Sequence, residues 1–374
     1  MRVRPAVLAV GGLLALGVLA WQVWPRQQRP PRRVLPPRPV ASAPAAPEAD
    51  AAPPASFELL AAGASHSCAV RGGQLACWGA QLDGAVGGAP GEAVSSARPV
   101  AGLPAGTVRA LALGAGFSCA LLDGAAWCWG SLGADAMVTA PTSLGGAPAL
   151  TALAAGRAQV CGLDAEGAVW CWRSQRGAPA KVAGLPPARG LAVGGSLACV
   201  IARAGGVTCW GDADAPAAVA GLSPDVDALA LGARFGCAHT PAGAVDCWGD
   251  SLAGSAPDAP TTPRRVIARG AGAISAGDDH ACALLDRGGV SCWGDNLHGQ
   301  LGDGSIEGRT TPGASLDSPG KRLLAAGSQH TCAASHELVC WGSDSWRQLG
   351  RGGQPRAQGD VERVRPLPAP VEWP

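Results

Sequence analysis

The chain has 374 residues, of which 55 are Gly and 32 are Pro, and this content of helix-interrupting residues excludes a long helical bundle. The net charge of +1 conceals a split: residues 1–56 are net +5 and the remainder is net −4. Because nucleic-acid binding needs a positive face, this charge disfavours a body that binds nucleic acid. The 14 Cys are many and even in number, which favours an oxidising compartment over the cytosol.

The amino terminus predicts a membrane segment. Residues 6–24 form an uncharged run, AVLAVGGLLALGVLAWQVW, which as a helix would be roughly 28 Å long and could cross a hydrocarbon core of about 30 Å. Trp21 and Trp24 suit the interface at its far end. We therefore expect a signal anchor over residues 1–24, with a signal peptide cleaved after Ala20 as the alternative.

Residues 25–56 predict a spacer, because they hold ten Pro and five Arg. Such a segment favours an extended chain reaching at most about 100 Å. Five Arg after the apolar run against two before it would by themselves keep the body in the cytoplasm. The cysteine pairs described next predict the opposite, and we give them more weight.

Seven copies of one unit of about 45 residues fill residues 57–374. Each copy has two Cys, a Gly five residues before the first Cys, an aliphatic residue eight before it, and a Trp directly after the second Cys. The cysteine pairs are Cys68 with Cys77, Cys119 with Cys128, Cys161 with Cys171, Cys199 with Cys209, Cys237 with Cys247, Cys282 with Cys292, and Cys332 with Cys340. The glycines are Gly63, Gly114, Gly156, Gly194, Gly232, Gly277 and Gly327, and the tryptophans are Trp78, Trp129, Trp172, Trp210, Trp248, Trp293 and Trp341.

Each copy has the pattern of short strands. An aliphatic strand runs into the Gly, a second strand such as HACALL passes through the first Cys, and a third such as VSCWG follows a turn. A four-stranded unit cannot bury both of its faces alone, whereas seven units arranged radially bury each sheet against its neighbours. The repeats therefore predict an all-β protein with a seven-bladed β-propeller over residues 57–374.

The sixth copy carries a resemblance to a known family. GDDHACALLDRGGVSCWGDNLHGQLGDG, residues 277–304, resembles the repeat of the regulator-of-chromosome-condensation family, with the pattern G-x-x-H-x-x-A-L, G-x-V-x-x-W-G and N-x-x-G-Q-L-G. Residues 342–352 repeat its tail with Arg347 in place of Gly299, residues 84–87 hold a weakened form, and copies two to four lack it. The resemblance covers about residues 57–368 and implies a seven-bladed propeller. It concerns the scaffold and does not carry the nucleotide exchange on the GTPase Ran of the best-known member.

The ends of the ring also have a pattern. Val-Ala-Gly-Leu segments begin at Val100, Val182 and Val219, each ahead of a copy's Gly strand, and a similar segment begins at Val364. Since the first copy lacks such a leading strand, we expect residues 364–368 to supply it and so to close the ring inside the blade that begins at Phe57.

The cysteine spacing of 8 to 10 residues across a hairpin turn predicts a disulfide in every copy. Buried free thiols are the alternative, and zinc is disfavoured because the ligand spacing of zinc sites is missing. His66, His280 and His330 share the slot two residues before the first Cys. The same slot holds Phe in two other copies, so we expect packing rather than a shared metal site, and likewise packing for the Trp ring.

The sequence has no motif of a hydrolase elbow, a P-loop or a zinc protease. Asp278 and Asp279 are adjacent acids at a turn, which are usually solvated rather than catalytic. We therefore expect a non-enzymatic protein with no cofactor and no metal.

The loops ahead of each first Cys and after each Trp-Gly should emerge at one end of the ring, because two strand reversals separate them. Variable loops on a rigid scaffold are where binding usually resides. We expect a tethered, extracytoplasmic scaffold that binds a protein or a cell-surface polymer; a secreted propeller-type inhibitor and an exchange-factor-like regulator are the alternatives. The candidate binding residues are Arg157, Arg234, Asp278, Asp279, Asn296, His298, Trp346 and Arg347.

Overall fold

The structure is a computed structural model that describes residues 55–133, 137–195, 197–211, 215–249, 262–286, 289–316, 320–352 and 364–374. These residues form seven antiparallel sheets of four strands each, blades 1 to 7, which are the blades of a seven-bladed β-propeller. In this described part, no helix is long and apolar enough to span a membrane. The predicted anchor and spacer, residues 1–24 and 25–56, lie outside it except for residues 55 and 56.

The strands follow one another in chain order, four to a blade. Blades 1 to 3 contain β1 Phe57–Ala62, β2 His66–Arg71, β3 Gln74–Gly79, β4 Val94–Pro99, β5 Val108–Leu113, β6 Phe117–Leu122, β7 Ala125–Gly130, β8 Val138–Ser143, β9 Leu150–Ala155, β10 Val160–Asp164, β11 Val169–Trp172 and β12 Ala180–Lys181. Blades 4 and 5 contain β13 Ala188–Val193, β14 Leu197–Ala202, β15 Val207–Gly211, β16 Ala217–Ala218, β17 Ala228–Leu231, β18 Phe235–His239, β19 Val245–Gly249 and β20 Arg264–Ile267. Blades 6 and 7 contain β21 Ala271–Ala276, β22 His280–Leu285, β23 Val290–Gly294, β24 Arg309–Leu316, β25 Leu323–Ala326, β26 His330–Ala334, β27 Leu338–Ser343 and β28 Val364–Pro370.

The cysteine pairs lie on the two central strands of each blade, where the partners stand directly opposite each other in the ladder. All seven pairs are disulfides, with Cα atoms 4.0 to 4.1 Å apart. This separation is shorter than the 4.5 to 5.5 Å of typical opposed residues, and it fits the closer, non-hydrogen-bonded type of pair. The bonds join Cys68 to Cys77, Cys119 to Cys128, Cys161 to Cys171, Cys199 to Cys209, Cys237 to Cys247, Cys282 to Cys292, and Cys332 to Cys340.

Each blade is therefore linked covalently across its centre, with the partners that the spacing predicted. The alternative of buried free thiols is wrong, since no cysteine is free. The half-cystines are packed in the interior as well as bonded: Cys128 is completely buried, Cys247 is 4% exposed, and Cys171 is only half-buried. Cys171 is more open because its neighbour in the outer strand is the two-residue β12, which covers little of β11.

The first strands of the blades form a closed ring, since each contacts the first strand of both neighbouring blades. The repeated glycines sit where this ring is tightest. A Cβ on Gly63 would lie 2.6 Å from the carbonyl oxygen of Gly114, and one on Gly277 would clash with the carbonyl of Gly327. The backbone continues the ring, because Ala64 N donates to Gly114 O at 3.1 Å and equivalent bonds join other blades. Five of the seven glycines are thus required by close approach to the next blade, whereas a Cβ on Gly114 or Gly232 would meet the ring of Phe117 or Phe235 in its own blade.

The prediction that residues 364–368 complete blade 1 is wrong. They belong to β28, which pairs with β27 in blade 7, and blade 1 has its own fourth strand, β4. The Val-Ala-Gly-Leu segments follow the fourth strands and connect blades; Gly102 at φ +89° makes the turn in the first of them. Each copy supplies its own outer strand because the chain after Trp-Gly returns along the third strand.

The carboxy-terminal part of the chain nevertheless closes the ring, through residues outside the predicted segment. Ala97 N in blade 1 donates to Glu372 O at 2.9 Å, and the rings of Phe57 and Trp373 pack edge to face with centroids 4.8 Å apart. Gly352 N in blade 7 donates to Ser95 O in blade 1 at 2.7 Å. Blades 7 and 1 are therefore joined by backbone bonds at their outer strands.

Candidate binding face

The loops before each first Cys and after each Trp-Gly emerge at one end of the ring, here called the upper face. Four backbone bonds join the two kinds of loop in blades 1, 2, 6 and 7: Ala80 N to Ser65 O, Ser131 N to Gly116 O, Asp295 N to Asp279 O and Ser343 N to Gln329 O, all at 2.8 to 2.9 Å. The two strand reversals between the loops account for this arrangement.

At the centre of the upper face, two of the candidate residues pair with each other. Arg157 Nη2 in blade 3 lies 2.6 Å from Asp278 Oδ2 in blade 6. These residues, together with the seven repeated glycines, line the mouth of the central channel. Arg157 is largely exposed, and pairs of this kind are worth at most about 1 kcal/mol. The pair is therefore easily opened, and it adds little to the stability of the ring.

One candidate residue is not on the surface at all. Asn296 is completely buried; its amide donates to Ser305 O at 3.1 Å, and its Oδ1 accepts from Leu301 N at 2.9 Å. The prediction that Asn296 contributes to a binding surface is wrong, because its polar atoms are used to fold its own loop. Of the other candidates, Arg234 is exposed, and Asp279 and His298 are half-buried.

The Asn296 loop belongs to a set of three, here called the tail turns, which comprise residues 81–87, 296–302 and 344–350. Each tail turn has one completely buried aliphatic side chain, which is Val86, Leu301 or Leu349. The carbonyl before that side chain accepts a bond from the Trp indole of the next blade. These bonds join Trp129 to Ala85 O at 2.8 Å, Trp341 to Gln300 O at 2.9 Å and Trp78 to Gln348 O at 2.9 Å. The repeated tryptophans thus pack blade against blade, as the sequence indicated.

The three slot histidines are fully buried, each against a hydroxyl of the next blade. His66 Nε2 lies 2.8 Å from Ser118 Oγ, His280 Nε2 lies 2.9 Å from Thr331 Oγ1, and His330 Nε2 lies 2.7 Å from Ser67 Oγ. Their complete burial and these hydrogen bonds indicate that the three histidines pack between neighbouring blades. Within the described residues, no cluster of three or more potential metal ligands occurs.

The hydrogen bonds also fix the tautomer of two of these histidines. Ser118 uses its hydroxyl proton to bond Ala85 O, and Thr331 uses its own to bond Gln300 O, so the histidine must donate from Nε2 in each contact. The buried Nδ1 then carries a lone pair without a partner among the described residues. Burial lowers the pKa of His66 and of His280 to about 4; for His330, burial and then the nearby His280 and His66 lower the pKa to about 3.

The exposed apolar side chains are confined to one part of the ring. Among the described residues, the large hydrophobic side chains that are exposed number five, and all lie on the consecutive blades 6, 7 and 1. We call this set the apolar arc; it comprises Leu82 at 55% exposure, Leu297 at 68%, Ile306 at 55%, Trp346 at 41% and Leu367 at 62%. Of these five residues, only Trp346 stands out in the sequence, because the other four are single leucines or isoleucines within ordinary loop and strand sequence. Their shared exposure could be recognised only once the blades were assembled.

Trp346 stands beside a residue in an unusual conformation. Arg347 has φ +62°, in the left-handed region, at the tail-turn position where Gly84 and Gly299 have φ +74° and +73°. A non-glycine residue there costs roughly 1 kcal/mol. A strained backbone conformation next to an exposed indole is the kind of feature found at binding sites.

Comparison with known proteins agrees with this architecture. Residues 273–300 match the model of the Regulator of chromosome condensation (RCC1) repeat. Comparison with curated protein sequences finds no significant match.

Among solved structures, yeast RCC1 (Prp20) in its complex with Kap60 is similar at 18% identity over 89% of this chain and 90% of that chain, with a TM-score of 0.67. Human WBSCR16 is similar at 18% identity over 77% and 87%, with a TM-score of 0.66. The ectodomain of the Arabidopsis thaliana receptor kinase ACR4 is similar at 20% identity over 77% and 96%, with a TM-score of 0.51. The chain thus carries a regulator of chromosome condensation repeat and folds as the seven-bladed propeller of RCC1.

Proposed function

We propose that the protein is a non-enzymatic binding scaffold, held outside the cytoplasm by an anchor at residues 6–24 and a spacer at residues 25–56, and that it binds a protein partner through the apolar arc. Three features support this proposal: the confinement of exposed apolar side chains to three blades, the seven disulfides, and the Trp346–Arg347 pair.

The apolar arc is the observation that carries the proposal. Single exposed leucines are ordinary on any protein surface, but a set restricted to neighbouring elements is typical of an interaction site. Blades 2 to 5 have no large exposed hydrophobic side chain among their described residues, although they are built from the same repeat. The repeat itself does not require these exposed side chains. Their restriction to blades 6, 7 and 1 is therefore specific to the surface of those blades.

The disulfides support a location outside the cytoplasm. Every cysteine of the chain is in a disulfide, and none is free. Disulfides persist in oxidising compartments and are rare in the cytosol. A body of this kind is therefore suited to the outer side of a cytoplasmic membrane, and the amino-terminal apolar run would keep it there. If the run is cleaved after Ala20, the same body is secreted.

Within the arc, we expect Trp346 and Arg347 to contribute most of the binding energy. Trp and Arg are the residue types most often found at the energetic centre of protein interfaces. Two other residues of the predicted face, Arg157 and Asp278, line the mouth of the channel, and Arg234 lies on blade 5, outside the arc. A single Trp346→Ala substitution should weaken binding by about 2 kcal/mol or more if Trp346 is central.

The proposal is tested by capture from intact envelopes. The full-length chain, its Trp346→Ala/Leu297→Ala variant and an Arg157→Ala control are cross-linked to envelope proteins, and the captured proteins are quantified. We expect a protein that is recovered by the wild type and the control and lost by the arc variant, while the melting temperatures of all three agree. Equal recovery by the arc variant, or recovery of a polymer instead of a protein, would contradict the proposal.

A further inference from the structure

The outer edge of blade 7 holds two guanidinium groups, those of Arg351 and Arg365, for which the described residues provide no ion pair. Arg351 Nη2 donates to Cys340 O and to Leu367 O, both at 2.9 Å, and so fills the irregularity between β27 and β28. Its Nε is buried with no partner among the described residues. Arg365 is exposed, and its Nη1 donates to the neighbouring Val364 O at 3.2 Å.

Blade 6 provides an internal comparison. Arg309 fills the corresponding irregularity between β23 and β24, where its Nε donates to Cys292 O at 3.0 Å. There the guanidinium also meets a carboxylate, since Nη1 lies 3.1 Å from Asp303 Oδ2. Among the described residues, Arg351 has no such ion pair. By strand register, Arg365 corresponds to Arg309, since it stands opposite Gly342 as Arg309 stands opposite Gly294, and Arg351 follows its tail turn as Asp303 does in blade 6. The Asp–Arg ion pair of blade 6 is thus replaced by two arginines in blade 7.

Among the described residues, the three arginines Arg347, Arg351 and Arg365 outnumber the acids beside them, Asp344 and Glu372, whose carboxylate lies against Gly352. Burial lowers the pKa of Arg351; the carboxylate of Asp344 opposes that shift, and the charge of Arg365 adds to it. Asp344 is itself buried, and its Oδ1 accepts a bond from Leu349 N at 3.2 Å, so it offers little to the surface. Arg347 follows Trp346 in the same tail turn and adds a further positive charge. A carboxylate from outside the chain would offset the repulsion between the Arg351 and Arg365 guanidinium groups.

We propose that blade 7 binds an acidic peptide segment of a partner protein, with a carboxylate of the peptide against Arg351 and Arg365 and a neighbouring apolar side chain against Trp346 and Leu367. This inference rests on the proposed function, because it names the partner chemistry of the same arc. The exposed Leu367 and Trp346 favour a peptide over an acidic polysaccharide, which has no aliphatic side chains to place against them.

The experiment is a peptide selection on the full-length chain in detergent, with a library of random peptides. Peptides that bind are measured by fluorescence anisotropy against the wild type and three variants: Trp346→Ala, Arg365→Glu, and Arg322→Glu as the matched control. Arg322 is exposed on the same blade but directly before β25, at the opposite end, and the substitution makes the same change of charge. Melting temperatures verify that each variant is folded.

We expect the selected peptides to be enriched in Asp or Glu beside Leu, Phe or Trp, and to bind Arg365→Glu at least about tenfold more weakly while Arg322→Glu binds as the wild type does. Peptides that need Trp346 but show no acidic enrichment and bind Arg365→Glu normally would overturn this inference and leave the proposed function standing. Peptides that bind Trp346→Ala normally would count against both. The wild-type chain is also tested for binding to immobilised dextran sulfate, an acidic polysaccharide. Binding to dextran sulfate without selection of any peptide would also overturn the inference.

Discussion

Blades 6, 7 and 1 differ from blades 2 to 5 in the way they are joined to their neighbours. The first group has the three tail turns and the three buried His–hydroxyl links, whereas the slot in the second group holds Phe117, Gln159, Leu197 and Phe235. The longest and shortest outer strands also fall in different groups, since β24 and β28 have eight and seven residues and β12 and β16 have two each, whereas β4 of blade 1 and β8 of blade 2 have six each. One repeat has thus produced two kinds of blade, and the more elaborate kind carries the apolar arc.

The largest expected effect concerns the glycine ring, which both groups share. Replacing Gly277 with Ala would place a Cβ against the carbonyl of Gly327 and the ring of His280, so we expect a loss of about 3 kcal/mol or more of unfolding free energy, or failure to fold. Chemical denaturation measures it. Gly91→Ala is the control: neither Gly277 nor Gly91 has a positive φ, but nothing lies within 4 Å of the Cβ added at Gly91, so little change in the unfolding free energy is expected. Equal costs would show that the ring does not depend on close approach.

The buried histidines predict an acid sensitivity located in blades 6, 7 and 1. Their pKa values are lowered to about 4, 4 and 3, so the folded state keeps them neutral while the unfolded state binds protons below its ordinary pKa of 6.5. The stability they contribute is present above pH 6.5 and is lost as the pH falls from there toward 4. Each histidine can account for up to about 1.4 kcal/mol per pH unit, and the three together for several kcal/mol.

A triple variant tests this origin. Phe occupies the same slot in blades 2 and 5, so His66→Phe/His280→Phe/His330→Phe keeps an aromatic ring there and removes the titrating group. We expect the unfolding free energy of the variant to fall much less than that of the wild type between about pH 7 and about pH 5. Parallel curves would mean that other groups cause the acid sensitivity.

The disulfides should not distinguish the two groups of blades. Their sequence separations are 8 residues for Cys332–Cys340 and 10 for Cys199–Cys209, so replacing either pair with Ala should cost a similar amount, about 2 to 3 kcal/mol. Thermal denaturation of both variants measures this. The unreduced wild-type chain, unfolded and treated with a thiol reagent, should show essentially no free thiol; extensive labelling would contradict the proposed compartment.

The sequence predicted the repeated part of the fold well, because each blade must keep the same Gly, Cys and Trp to pack against its neighbours. It failed for the last strand: residues 364–368 have the composition of several linkers, and only pairing with β27 shows that they are an outer strand. It failed for Asn296, whose burial depends on how its loop closes. The apolar arc depends on exposure in the assembled ring, and the contacts of Arg351 depend on how β27 and β28 pair, so no local sequence pattern predicts either.

The smallest expected effect is at the tail turn of blade 7. Arg347→Gly places the residue of blades 1 and 6 at a position with φ +62°, and removing the left-handed strain should raise the unfolding free energy by about 1 kcal/mol at most. If Arg347 contacts the partner, affinity should fall in the same variant. A gain in stability with unchanged affinity would remove Arg347 from the interface and leave Trp346 in it.

The central claim is that the partner contacts blades 6, 7 and 1, and site-specific photo-cross-linking tests it most directly. A photoreactive residue is placed at Leu82, at Leu297 or at Arg234, all exposed on the upper face, with Arg234 on blade 5 as the comparison site. We expect the captured partner to be cross-linked from Leu82 and Leu297 and not from Arg234. Cross-links from Arg234 with none from the two leucines would contradict it.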